Sequence, residues 1–205
     1  LQFDRATINN FIVDCLKDTS EKGLVIIGKQ GGYLDPKSYI TSEKYKIAYL
    51  YDLKTSKVPS KKAVEVDLAG YIDENMLICL KNFADFERQG WRVTYEAPKS
   101  TVQLNERDIT VTQQFLVSVQ KETALTFDEF STSVPVRMLY LLNITNEIVA
   151  FHQAEPEWTD LTALSEHDVD ITIFPYKKKL MYSIKDPQSS IKSESYLFNF
   201  ALNFG

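Results

Sequence analysis

Apolar positions recur at the three- and four-residue spacing of a helix in two stretches before Gly90, and mainly at every second residue after it, with a further helical stretch past Pro135. Ile8, Phe11, Ile12, Cys15 and Leu16 share one face of a first helix, predicted from an N-cap at about Thr7 toward Ile27. A bend is expected at Asp18-Thr19-Ser20, and a stop at Gly28 and Gly31-Gly32, because glycine accepts the left-handed backbone of a helix exit. Residues 33–59 are less regular, with turn-like stretches at Asp35-Pro36 and 56–60 and a short aromatic strand at 45–51. Ser60 then caps a second helix. Its stripe of Val64, Leu68, Tyr71, Ile72, Met76, Cys79, Leu80, Phe83 and Phe86 predicts one long element ending at Gly90.

Alternation takes over from there. Trp91, Val93 and Tyr95 precede Val102 and Leu104, and the polar turn at 105–108 leads into Ile109, Val111, Phe115, Val117 and Val119, interrupted by Gln113. Residues 123–132 continue the extended pattern. Pro135 is placed in the first turn of a third helix carrying Val136, Leu139, Tyr140, Ile144, Ile148 and Phe151, which Pro156 must break or kink, and 158–164 predicts a further short helix. Val169, Ile171 and Ile173, a turn at 175–179, then Leu180, Tyr182 and Ile184 form a hairpin, with 186–190 as a loop before a last aromatic strand from Tyr196 to Phe204. This order predicts an α+β fold: an antiparallel sheet, a meander plus a C-terminal hairpin and strand, covered on one face by two or three helices. One domain is expected over 1–205, mainly helical to about residue 90 and mixed β/α from 91 onward.

At 205 residues with 44% hydrophobic and 25% charged side chains, the chain can bury a core and has no bias toward disorder. A formal charge of -5 argues against general nucleic-acid binding, which needs a clustered positive surface. No apolar run reaches the length of a membrane span. The chain begins at Leu1 rather than Met, so any signal or anchor is expected upstream.

Chemistry-bearing residues are sparse. Cys15 and Cys79, the only cysteines, lie on the apolar stripes of the first two helices. They read either as a disulfide joining those helices or as two free buried thiols. A disulfide would close a loop of roughly sixty residues, for which chain entropy gives about 4 kcal/mol. Gly28-Lys29-Gln30-Gly31-Gly32 lacks the Gly-Lys-Ser/Thr of a phosphate loop and reads as a tight turn. His152 and His167 are the only histidines and have no metalloprotease spacing. A hydrolase would require one of them to meet carboxylates in a cleft, and no metal site or cofactor is expected. Lys177-Lys178-Lys179 reads as a solvated turn, or as a contact for an acidic surface or lipid head groups. Asn143-Ile144-Thr145 matches the glycosylation pattern but falls on a predicted helix. Tyr45, Tyr49, Tyr51 and Trp158 are candidates to line a groove for a small ligand or glycan.

Three segments carry a family resemblance. Phe11-Ile12-Val13-Asp14-Cys15-Leu16 is followed by Gly23-Leu24 and Gln30-Gly31-Gly32-Tyr33. Tyr71-Ile72-Asp73-Glu74-Asn75 precedes Cys79-Leu80 and Phe83, and Tyr182-Ser183-Ile184-Lys185-Asp186 precedes Tyr196-Leu197-Phe198-Asn199-Phe200-Ala201. Together they resemble a group of archaeal exported proteins of uncharacterised activity. In that group an acidic-Cys-Leu helix leads to Gln-Gly-Gly-Tyr after an N-terminal hydrophobic segment. Here Lys29 stands where an apolar residue is common. The resemblance implies an upstream membrane anchor, an extracytoplasmic location and a Cys15–Cys79 bond, and it brings no catalytic residue. The expectation is therefore a non-enzymatic, membrane-anchored cell-surface domain with a structural, adhesion or assembly role. A protein partner or self-association at the envelope would follow, with no nucleic acid. The alternatives are a small-ligand or glycan-binding module, and a hydrolase using His152 or His167.

Overall fold

A helix that opens the chain determines how everything else is arranged. In the computed structural model, which describes residues 4–42, 44–156 and 158–205, α1 spans Arg5–Lys29. Its cap is Asp4 rather than the expected Thr7: the Asp4 carboxylate accepts from Thr7 N–H at 2.8 Å. A carboxylate there satisfies an unpaired amide and complements the positive end of the helix dipole. The bend expected at Asp18-Thr19-Ser20 does not occur. Thr19 and Ser20 are buried within a continuous helix, and the Ser20 hydroxyl donates to the Leu16 carbonyl at 2.7 Å. Burial outweighs the weak helix propensity of these residues. Gly28 also lies inside the helix rather than at its end. The exit is made by Gly31 and Gly32, at φ 71° and 93°, with Gly32 N–H donating to the Ile27 carbonyl at 2.9 Å.

The chain continues through β1 (Tyr39–Ser42), β2 (Tyr45–Asp52) and β3 (Thr55–Ser56) to α2 (Lys61–Cys79). Ser60 caps α2, accepting from Ala63 N–H at 3.2 Å. The long helix expected as far as Gly90 is broken. Lys81, Asn82 and Phe83 adopt left-handed backbone at φ 49°, 48° and 60°, before a single turn, α3 (Ala84–Glu87). The break swings two aromatic rings inward, Phe86 to 5.2 Å from Phe11 and Phe83 to 6.3 Å from Phe115. Such packing offsets the cost of left-handed non-glycine residues.

The remaining elements are β4 (Arg92–Tyr95), β5 (Lys99–Leu104), β6 (Ile109–Gln120), β7 (Ala124–Val134), α4 (Met138–Ala154), α5 (Leu161–Ser165), β8 (Asp170–Tyr176), β9 (Lys179–Ile191) and β10 (Glu194–Asn203). The fold is α+β, with helices packed on sheets as the pattern predicts. The strands form two sheets. In the first, β6 is flanked by β7 on one side and by β4 and β5, end to end, on the other, all antiparallel. The second runs β1-β2-β10-β9-β8, and its β2–β10 pairing is parallel. Residues 186–190, expected as a loop, belong to β9 because Asp186 is buried and held from α4. Pro135 precedes α4 by three residues rather than opening it; its carbonyl accepts from Ser190 N–H at 3.1 Å, so residues 135–137 dock against β9 first.

α1 packs on α2, β7 and β10, and its buried residues cover more than one face. Cys15 and Cys79 are joined in a disulfide, with Cα atoms 5.7 Å apart. α2 in turn covers the open edge of β5. Its Glu65 and Asp73 carboxylates accept from the backbone N–H groups of Leu104 and Ser100 at 3.1 and 2.7 Å. Among the described residues no helix is long and apolar enough to cross a membrane.

The disulfide closes a separation of 64 residues. The double variant Cys15→Ser/Cys79→Ser is therefore expected to lose about 4 kcal/mol in urea unfolding. A wild-type curve unchanged by reductant would contradict this. At Gly28 an added Cβ would sit 2.5 Å from the Tyr196 hydroxyl and the Leu197 carbonyl. Gly28→Ala is expected to cost roughly 1–3 kcal/mol in the same assay.

Candidate functional site

Among the described residues, two concavities hold tyrosine and histidine candidates. The larger is a groove of about 650 Å³ between residues 33–38, β2 and the exposed side of α2. Its aromatic lining is Tyr33, Tyr49 and Tyr71, and its charged lining is Asp35, Lys37, Lys57, Asp67 and Glu74. The turn at Gly31-Gly32 delivers the first wall. Helical spacing puts Asp67, Gly70, Tyr71 and Glu74 on one side of α2, next to the buried stripe of Val64, Leu68, Ile72 and Met76. Tyr33 is fixed by donating to the Lys57 carbonyl at 2.7 Å. Asp52 anchors the groove's base, accepting from Lys57, Ser38 and Asn203 at 2.7, 2.7 and 2.8 Å. The Lys57 ammonium holds the Asp52 carboxyl down to about 2, and Lys37 with Lys46 does the same to Asp35, also to about 2. Asp67 behaves in the opposite way: burial pushes its carboxyl above the ordinary value. Burial, and then the charge of Asp67, raise the Tyr33 phenol.

Of the four aromatic candidates expected in a groove, only Tyr49 lines this one. Tyr45 lies under the Lys29 ammonium, 4.8 Å from its ring centroid. Tyr51 is buried against Phe204 at 5.5 Å. Tyr49 and Tyr51 belong to separate apolar clusters, because a register shift in the β2–β10 pairing places an extra residue between them. An added residue reverses the alternation of faces. Trp158 is 69% exposed and stands apart from the groove. The residues missed were Tyr33, Asp67 and Glu74, together with Tyr71, which the periodicity assigns to the core. Their signal was the i, i+4, i+7 spacing of Asp67, Tyr71 and Glu74 on the polar side of α2.

The smaller concavity, about 190 Å³, lies between α4, α5 and β9 and contains both histidines. His152 is 1% exposed, and its Nε2 pairs with the Tyr182 hydroxyl at 2.7 Å. Its Nδ1 finds no partner that meets hydrogen-bond geometry among the described residues. Burial pushes His152 below its ordinary value, offset in part by the backbone of Pro156. Burial raises Tyr182, against a hydrogen bond with Thr159. His167 Nε2 lies 3.0 Å from Glu147, and its Nδ1 lies 3.4 Å from the Tyr140 hydroxyl. Asp160, also in the lining, is committed to capping α5 through Thr162 and Ala163 N–H.

Behind this cleft, Arg137 grips Asp186 through Nε and Nη2 at 3.0 and 2.7 Å and reaches Asp168 at 3.1 Å. Asp186 also accepts from the Ser189 hydroxyl, and Asp168 from the Gln188 amide. This network ties the start of α4 to β9. Among the described residues no group of His, Cys, Asp and Glu is arranged to hold a metal ion. Asn143 is exposed on α4, whereas Thr145 is buried and its hydroxyl donates to the Leu141 carbonyl.

A histidine held below its unfolded value contributes stability that is present above pH 6.5 and is lost as pH falls below it. Wild-type denaturation midpoints are therefore expected to drop between pH 7 and pH 5. His152→Gln, which keeps a partner for Tyr182, is expected to show a smaller drop; an identical drop in the variant would refute the assignment.

Comparison of the chain with protein-family models, with curated proteins and with solved structures finds no match among any of the three.

Proposed function

We propose that this chain is a non-enzymatic, extracytoplasmic recognition domain that binds a small ligand in the groove between α2 and β2. The observation that carries this reading is the convergence of Tyr33, Tyr49 and Tyr71 with five charged side chains around about 650 Å³ of open space. A concavity of that size, lined by aromatic residues and a few polar groups, has the form of a small-molecule site. The disulfide supports an oxidising compartment, where such bonds persist. The likeness of the Gln30-Gly31-Gly32-Tyr33 and Tyr182–Asp186 segments to archaeal exported proteins points the same way and favours retention at the cell surface. Adhesion or assembly at the envelope would then operate through what the groove recognises.

A second reading, an acid–base site, draws on the two histidines sharing one cleft with Glu147 and Asp160. It is the weaker one. His167 is engaged by Glu147 and Tyr140, Asp160 caps a helix, and His152 is paired with Tyr182.

Ligand-observed NMR against a mixed panel of saccharides, amino-acid derivatives and polyamines tests the first reading. At least one class is expected to bind, and Tyr71→Ala is expected to weaken it about fivefold, in line with the roughly 1 kcal/mol attached to an aromatic contact. Binding indifferent to Tyr71→Ala but lost in His152→Gln would transfer the function to the histidine cleft.

A further inference from the structure

We infer that the groove selects an organic cation, a ligand that presents an alkylammonium or guanidinium group to Asp67 and Glu74 beside the rings of Tyr33 and Tyr71. The inference rests on the groove being a binding site and adds the charge of what it binds.

Charge compensation around the groove is uneven. Lys37 and Lys46 both contact Asp35, at 2.7 and 2.8 Å, and Lys57 is held by Asp52 at 2.7 Å. The lysines at this site are therefore all paired with carboxylates of the protein, Asp35 serving two of them. Asp67 and Glu74 are not: neither has an ion pair or hydrogen bond among the described residues. They stand seven residues apart, two turns along one side of α2. Between them, Gly70 leaves open space, with nothing within 4 Å of where a Cβ would be. Tyr71 follows directly, so the helix surface offers two carboxylates, a gap and a ring.

Asp67 shows what is missing. It is partly buried beside Tyr33, and desolvation raises its carboxyl, with no cation paired to it among the described residues. A neutral ligand that displaced water here would deepen that penalty, and an anion would add repulsion. A cation removes both effects, and the tyrosine faces attract it as well. The fold already uses this attraction next to the groove, where the Lys179 ammonium lies 5.3 Å from the Tyr49 ring centroid. The net charge of -5 favours the approach of such a ligand at long range.

Isotope-labelled protein titrated in 150 mM salt with arginine amide, and separately with cellobiose as an uncharged probe, tests the assignment. Arginine amide is expected to shift the Tyr33, Asp67, Gly70 and Tyr71 resonances and to lower the titration midpoint of the Asp67 carboxyl. Asp67→Asn is expected to weaken it at least tenfold, while Glu106→Gln, on a distant turn, leaves it unchanged. If cellobiose shifts those residues and arginine amide does not, the groove is a site but its ligand is uncharged, and the inference fails alone. If neither probe shifts them, the groove reading falls with it. Equal weakening by Asp67→Asn and Glu106→Gln would reduce the effect to bulk charge and overturn the inference.

Discussion

The close seating of α1 among three partners is the constraint on which the rest of this structure depends. Two glycines make it possible. An added Cβ at Gly23 would meet Leu68 and Tyr71 of α2 at 2.7 Å, and one at Gly28 would meet β10 at 2.5 Å. The Tyr196 hydroxyl completes the β10 contact by donating to the Leu24 carbonyl at 2.6 Å. The disulfide fixes the α2 side covalently. Small residues at close approach and one crosslink thus hold the helix between its partners, where larger side chains would push the layers apart.

That arrangement creates the groove. With α2 held against α1 on one side and against the β5 edge by Glu65 and Asp73 on the other, the side it turns to residues 33–38 and β2 bears Asp67, Gly70, Tyr71 and Glu74. The glycine turn leaving α1 then brings Tyr33 across from it. The same carboxylate contacts occupy outward N–H groups of an edge strand, which would otherwise invite pairing with another chain. The far end of the fold is organised differently. There Arg137 and the buried Asp186 join the start of α4 to β9 through an ion pair at 2.7 Å.

The sequence made much of this legible, and its failures have identifiable causes. Periodicity located α1, α2 and most of the strands, because each carries a run of apolar residues at one regular spacing, but it missed β1 and β3. It failed at residues 81–83, where aromatic packing overrides helical continuity, and at 186–190, where a buried carboxylate with a partner far along the chain looks like a polar loop. It also misjudged the tyrosines of β2. Strict alternation places Tyr49 and Tyr51 on one face, and a bulge separates them.

By itself, then, the sequence determined the α+β class, the helical faces, the Ser60 cap and the pair of cysteines suited to a crosslink. Those properties depend on neighbours a few residues away, so local spacing encodes them. Only the tertiary structure decided that the cysteines meet, that the strands divide into two sheets with β2 and β10 parallel, and that both histidines share one cleft. It alone brought Tyr33, Tyr49, Tyr71, Asp67 and Glu74 around one space. Each of these is a contact between segments far apart in the chain, set by how surfaces pack, and no local pattern of residues carries that information.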